Sequence, residues 1–310
     1  MSWCRASEGI RRLPVAGSVI IGLVPIMSLS FSILAGVAMY AAASPVMTQS
    51  APTREQCRKR ATDFLKLFTP DRHQLGYEEW TPAAPLKWHR GTVRASWTFD
   101  LKSPGSSYVV RVSAPRWQVS SVHNGHRANL RQRGERRTGT NSFGTEKGAS
   151  NYVENLARRI GGQWVLKRER FQYSLDRASS GGKITPGVVR ASYRVRVNGY
   201  PFVDKPYGFA ITLDPQDRAL VEYSGFWDVP AVAPLPKTRM TLDQASLKLH
   251  RRRAGSVPGL VSELGYATPR GGNKAVLCWR LAPKKQGSRS FPVVLLDAGT
   301  GRVVNEVLRK

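Results

Sequence analysis

The stretch Val93-Arg-Ala-Ser-Trp-Thr-Phe-Asp100 returns as Val189-Arg-Ala-Ser-Tyr-Arg-Val-Arg196, at the same place in a longer repeated plan. Repetition on this scale restricts the chain to an array of similar units rather than one large core, since each repeat is one supersecondary block that neighbours help to bury. The surroundings of the two copies agree: a capped helix precedes each, and a second alternating strand follows each.

Three helices are legible. Cys57, Ala61, Phe64, Leu65 and Phe68 form one apolar stripe of 3.6-residue period. Thr53 and Gln56 make a capping box ahead of it, and Pro70 ends the run. The second stripe is Tyr152, Val153, Leu156, Ala157 and Ile160, with Ser150 as the expected N-cap and Gly161-Gly162 as the stop. The third is Leu242, Ala245 and Leu249, with a second capping box at Thr241 and Gln244. Arg251-Arg252-Arg253 falls at its C-terminal end, where the helix dipole favours cations.

Strands follow each helix. Val93, Ala95, Trp97, Phe99 and Leu101 alternate with polar residues, as do Val189, Ala191, Tyr193, Val195 and Val197 with Arg190, Ser192, Arg194 and Arg196. A period of 2 marks a half-buried antiparallel strand with a wet face. Ala275, Leu277, Trp279 and Leu281 form a looser third copy. The next strand also recurs, through Tyr108, Val110 and Val112, then Phe209, Ile211 and Leu213, then Phe291, Val293 and Leu295. The last two run into turns at Asp214-Pro-Gln-Asp-Arg218 and Asp297-Ala-Gly-Thr-Gly-Arg302, whereas the first reads Ser113-Ala-Pro-Arg-Trp117. The expected fold class is α+β: tandem modules, each one helix on a small antiparallel sheet, preceded by an N-terminal membrane-spanning or signal helix. The modules are read at 53–125, 150–228 and 241–310, joined by a flexible basic linker at 126–149 and a stiff Pro-rich linker at 229–240.

The address comes from the N-terminus. Val15 to Ala43 is nearly continuous apolar sequence, long enough to cross a bilayer, behind a 1–14 region carrying Arg5, Arg11 and Arg12. It reads either as a transmembrane anchor or as a signal peptide cut near Ala43, where Ala41-Ala42-Ala43-Ser44 offers small residues. Either way residues 44–310 are expected outside the cytoplasm. The formal net charge is +27, and +25 remains once the first 43 residues are removed, so the excess belongs to the exported body. Such a field attracts nucleic acid, anionic lipid headgroups or wall and outer-leaflet polyanions; outside the cytoplasm it meets the envelope polymers and headgroups, with no specific nucleic acid expected as partner. Three cysteines, Cys4, Cys57 and Cys278, with no CxxC give neither a disulfide framework nor a zinc site. Cys57 and Cys278 read as buried thiols that could pair only if the first and third modules touch.

The pattern resembles the PepSY-type modules of exported bacterial proteins. The resemblance is carried by the capped helix and strand pair, by the Asp-x-x-Thr-Gly-x-Val hairpin at Asp297–Val303, and by Val197-Asn-Gly-Tyr-Pro-Phe-Val203 leading into Gly208–Pro215. It covers about 146–228 and 241–307, and 53–125 by period alone. It implies a non-catalytic, extracytoplasmic module associated with propeptides and with peptidase inhibition or regulation; it implies no binding residues.

Catalytic signatures are not found: neither HExxH nor G-x-S-x-G occurs. Ser179-Ser-Gly-Gly-Lys183 lacks the first Gly and the final Ser or Thr of a phosphate loop, and reads as a hairpin tip. His123-Asn-Gly-His126 reads first as a turn, with no third metal ligand evident. Asp214 and Asp217 sit in a turn, and Glu78-Glu79 in a Pro-rich loop. Trp97 and Trp279 fall at core-facing positions, whereas Trp80, Trp88 and Trp117 could be exposed. No catalytic, cofactor or metal residue is assigned and no cofactor is expected. The leading expectation is a binding or regulatory protein that contacts an envelope protein or peptide. The alternative is electrostatic docking on anionic cell-wall polymers or a membrane surface through Arg94, Arg190, Arg194, Arg196, Arg251, Arg252 and Arg253. An enzyme of unrecognised type is the third.

Overall fold

The computed structural model describes residues 51–69, 72–85, 92–133, 141–178, 184–252, 259–284 and 292–307. The N-terminal apolar segment expected to anchor or export the chain lies outside them, as do Trp88, the Ser179–Lys183 tip and Arg253. Among the described residues no helix is long and apolar enough to cross a membrane. The architecture is α+β, with four helices and mostly antiparallel sheets among these residues.

The chain opens with α1 (Arg54–Leu65), whose Thr53–Gln56 capping box forms as expected. Cys57, Ala61 and Leu65 on its inner face are fully buried. Burial of a side chain the size of Leu65 contributes about 1.5–3 kcal/mol. Strands β1 (Gln74–Thr81), β2 (Ala84–Pro85), β3 (Thr92–Val93), β4 (Ser96–Ser103), β5 (Ser106–Ser113) and β6 (Gln118–Asn124) follow. The main path is the meander β1-β4-β5-β6, with β2 and β3 paired separately as a small ear. Glu78 and Glu79 therefore belong to strand β1 and not to a loop, and Trp80 pairs across to Trp97.

The segment after β6 departs from the expected linker. Asn124-Gly125 starts helix α2 (Gly125–Arg133) rather than a hairpin turn. The Asn124 side chain accepts from the Arg127 N–H at 3.1 Å, the N-cap role Asn fills as readily as a turn. Farther on, Phe143 is buried in the main core. Helix α3 (Glu146–Gly161) starts at an N-cap on Thr145, five residues before the expected Ser150. The Thr145 hydroxyl accepts from Gly148 N–H at 3.0 Å, whereas Ser150 accepts from Arg168 at 2.5 Å.

A second meander follows: β7 (Val165–Ser174), then β8 (Arg177–Ala178) and β9 (Ile184–Thr185) as another ear, then β10 (Val188–Val197), β11 (Tyr200–Pro201), β12 (Gly208–Leu213) and β13 (Leu220–Phe226). Gly208 holds φ 136°, and a Cβ there would lie 2.1 Å from the Tyr193 carbonyl, so only glycine lets β12 lie against β10. The two meanders are not separate units. Strand β6 pairs antiparallel with β13, giving one nine-stranded sheet ordered β1-β4-β5-β6-β13-β12-β10-β11, with β7 also on β10. The outer strands β1 and β7 carry charges and a register shift each, features that discourage edge pairing.

The third block adds β14 (Ala231–Val232), α4 (Leu242–Arg252), β15 (Leu260–Ala267), β16 (Lys274–Pro283), β17 (Val293–Asp297) and β18 (Val303–Val307). The Thr241–Gln244 capping box is present, and Ala245 and Leu249 of α4 pack with Leu281, Val294 and Leu296. The segment expected as a spacer is pinned: β14 runs parallel to β16, and Ala233 N–H donates to Ala275 at 2.7 Å. This block docks on the large sheet where Val203 N–H donates to the Tyr266 carbonyl at 2.8 Å. Gly265 there has no room for a Cβ, which would sit 2.4 Å from the Pro201 carbonyl.

Helix followed by a four-strand meander thus occurs three times in chain order. The turn after the third strand of each meander also carries one residue of positive φ. Trp117, Arg218 and Gly301 hold φ of 52°, 60° and 71°; the second and third turns also share their aspartate and its hydrogen bonds, whereas the first has neither and contains a cis Ala114–Pro115 bond. A non-glycine residue there costs about 1 kcal/mol or more. Cys57 and Cys278 are both free and buried, in different core clusters.

Candidate functional site: the cleft over the sheet junction

Helix α1 covers β4, β5 and β6, and helix α3 covers β7 and β10, both on one face of the large sheet. Between them lies a cleft of about 450 Å³ above the β6–β13 junction. That size is within the range of small-ligand pockets. Its floor is aromatic. Tyr223 of β13 is buried, 4.6 Å centroid to centroid from Phe64 of α1, and its hydroxyl accepts from the Trp227 indole at 2.8 Å. Burial holds that hydroxyl protonated, well above the usual tyrosine range. Trp117 forms one wall and stacks on the half-exposed Trp80, with centroids 5.8 Å apart. Ile160 of α3 and Leu67, just after α1, form the half-buried upper rim.

Three guanidiniums line the same cleft. Arg60 donates to the Trp117 carbonyl at 2.7 Å, and Arg116 donates to the Val229 carbonyl at 3.1 Å while lying 5.2 Å from the Trp164 ring centre. Both are held by neutral acceptors. Arg159 stands exposed at the end of α3. Among the described residues none of the three pairs with a carboxylate. Asp63, the one carboxylate among the described residues of the cleft, is already shared by Lys59 at 3.0 Å and Lys66 at 2.9 Å. The C-terminal ends of α1 and α3 contribute about −0.5 charge each, too little to cancel the three arginines. The cleft combines an apolar floor with a net positive rim.

The residues assigned to polyanions from sequence are not gathered there. Arg94 pairs with Asp228 at 3.0 Å and lies over Phe226. Arg194 bridges Glu169 at 2.7 Å and Glu263 at 3.1 Å, tying β10 to β7 and β15. These two are compensated within the fold. Arg196 donates to the Gly199 carbonyl at 2.8 Å, and Arg190 stands exposed on the open sheet face beside Thr212. Arg251 is exposed on α4, Arg252 ends that helix, and Arg253 lies outside the described residues. His123 is exposed on β6 with His126 on α2, and among the described residues no His, Cys, Asp and Glu grouping could hold a metal ion. Asp214 and Asp217 of the second turn both approach Arg127 of α2. Trp117 is buried, against expectation, while Trp80 is partly exposed. Arg60, Arg116 and Arg159 share no signal in the sequence and meet only in the fold.

No family model matches the chain, and no curated protein matches it. Among solved structures the chain is similar to the Bacillus megaterium YpeB C-terminal domain, at 12% identity and TM-score 0.40, over 84% of this chain and 99% of that one. A likeness at that level assigns no chemistry to the cleft.

Proposed function

We propose that the chain is an exported binding or regulatory protein built from three related PepSY-like units, and that the cleft over the β6–β13 junction holds a segment of an envelope partner protein. The observation that carries this reading is the cleft itself: aromatic side chains under a rim of arginines, none paired with a described carboxylate. The relatedness of the units rests on the recurring helix-then-meander order and, for the second and third, on the shared aspartate turn ending at Arg218 and Gly301. Residues 44–310 stand outside the cytoplasm in this reading, tethered or released at Ala43.

The test places a photocrosslinking residue at Ile160, on the cleft rim, in the full-length native protein. A discrete partner band at low salt, lost on Arg116→Glu, is the expected result. No discrete band, or one unchanged by Arg116→Glu, would count against the cleft. Docking on anionic polymers is the second reading, and the +27 net charge favours it. It would appear as salt-sensitive retention on such polymers, unaffected by Arg116→Glu.

A further inference from the structure

We propose that the cleft recognises the free C-terminal carboxylate of a peptide whose last residue is apolar; this rests on the cleft being the binding site. Phe64 and Tyr223 on the floor and Trp117 on the wall provide an apolar seat beside the rim arginines. A carboxylate suits that rim because a guanidinium offers a planar fork of donors matching two oxygens. Arg60 and Arg116 are held in place by backbone carbonyls before any ligand arrives, so little side-chain freedom is lost on binding. Arg159 stands on the facing helix, which lets an anion be held from both walls.

Size and polarity select the peptide. A cleft of about 450 Å³ admits the last few residues of a chain and excludes a folded domain. Gln118 lines it too and can pair with a peptide amide, for which an acyl chain offers nothing.

The experiment titrates the full-length protein with acetyl-Ala-Ala-Phe as the free acid and as its C-terminal carboxamide, by calorimetry and by tryptophan fluorescence. The expected result is acid binding at least tenfold tighter than the amide, weakening as sodium chloride rises. Arg116→Gln and Arg159→Gln should each lose roughly tenfold for the acid and little for the amide, and Ile160→Glu should abolish both. Equal affinity for acid and amide overturns the carboxylate inference; if Ile160→Glu still abolishes both, the cleft survives as a binding site. Binding of neither peptide overturns the inference, as does decanoate binding where the peptide acid does not. The partner crosslinking at Ile160 judges the broader reading separately.

Discussion

The sheet junction makes the first two blocks one cooperative body, and Asn124 is the residue on which this can be tested. Its side chain is fully buried and spans the junction: the amide nitrogen donates to the Leu220 carbonyl of β13 at 3.1 Å, and the amide oxygen caps α2 at 3.1 Å. Asn124→Ala removes both contacts. Loss of a cap costs about 1 kcal/mol, and a buried carbonyl left without its donor costs about 1–3 kcal/mol. The expected total is therefore about 2–4 kcal/mol, equivalent to a fall in Tm of roughly 4–16 °C for a body of this size. Urea unfolding followed by tryptophan fluorescence and far-ultraviolet circular dichroism provides the measurement, since Trp97 and Trp117 report on the first meander and Trp164 and Trp227 on the second. Both probes should shift together in a single transition. His123→Ala, at an exposed neighbouring position, serves as control and should stay within about 0.5 kcal/mol. A loss under about 1 kcal/mol, or a biphasic curve in which one phase alone moves, would refute the junction as a cooperative contact.

Three further outcomes follow from the same geometry. Trp117→Gly relieves about 1 kcal/mol of left-handed backbone strain but empties a buried indole site worth about 3–5 kcal/mol, so denaturant titration should show a net loss of about 2–4 kcal/mol. Burial pushes the Cys278 thiol up to about 12, with Asp297 and Asp204 adding to the effect, so the folded state keeps a proton that the unfolded chain releases near pH 8.5. The associated stability is complete below that pH and is lost as pH rises toward 12, at up to about 1.4 kcal/mol per pH unit; alkaline melts should flatten in Cys278→Ala, and an unchanged slope would contradict the assignment. For retention on an anionic polymer, Arg190→Ala should reduce the salt slope by about one, whereas Arg194→Ala should leave it nearly unchanged, because Arg194 is already neutralised by Glu169 and Glu263.

Local chemistry was the most legible part of the sequence. Both capping boxes form because each needs only a hydroxyl and an amide three residues apart. The start of α3 was misread because Gly148 in the first turn looks like linker composition. It is there for space: a Cβ at Gly148 would meet the Phe143 carbonyl at 2.3 Å. Partnership between strands was illegible, since the alternation in β6 and β13 fixes which face is wet and says nothing of which edge pairs with which. The cleft was hidden for the same reason, with Arg60, Arg116 and Arg159 lying on α1, a turn and α3.

The junction also explains why a cleft exists at all. Two isolated meanders would each expose an edge, at β6 and at β13, with backbone groups open to foreign strands. Pairing them removes both edges and spaces the helices by the width of the strands between. α1 packs chiefly on β4 to β6 and α3 on β7 and β10, so β13 lies between them and is reached from α1 by the Phe64 ring. The apolar surface left there falls to aromatic side chains: Tyr223, Phe209 and Trp227 are all buried, with ring centres less than 6 Å apart where they meet. Large rings can cover that surface from the sheet itself. The gap between α1 and α3 is then a direct consequence of sheet continuity, and Arg60, Arg116 and Arg159, none paired with a described carboxylate, give it a positive rim.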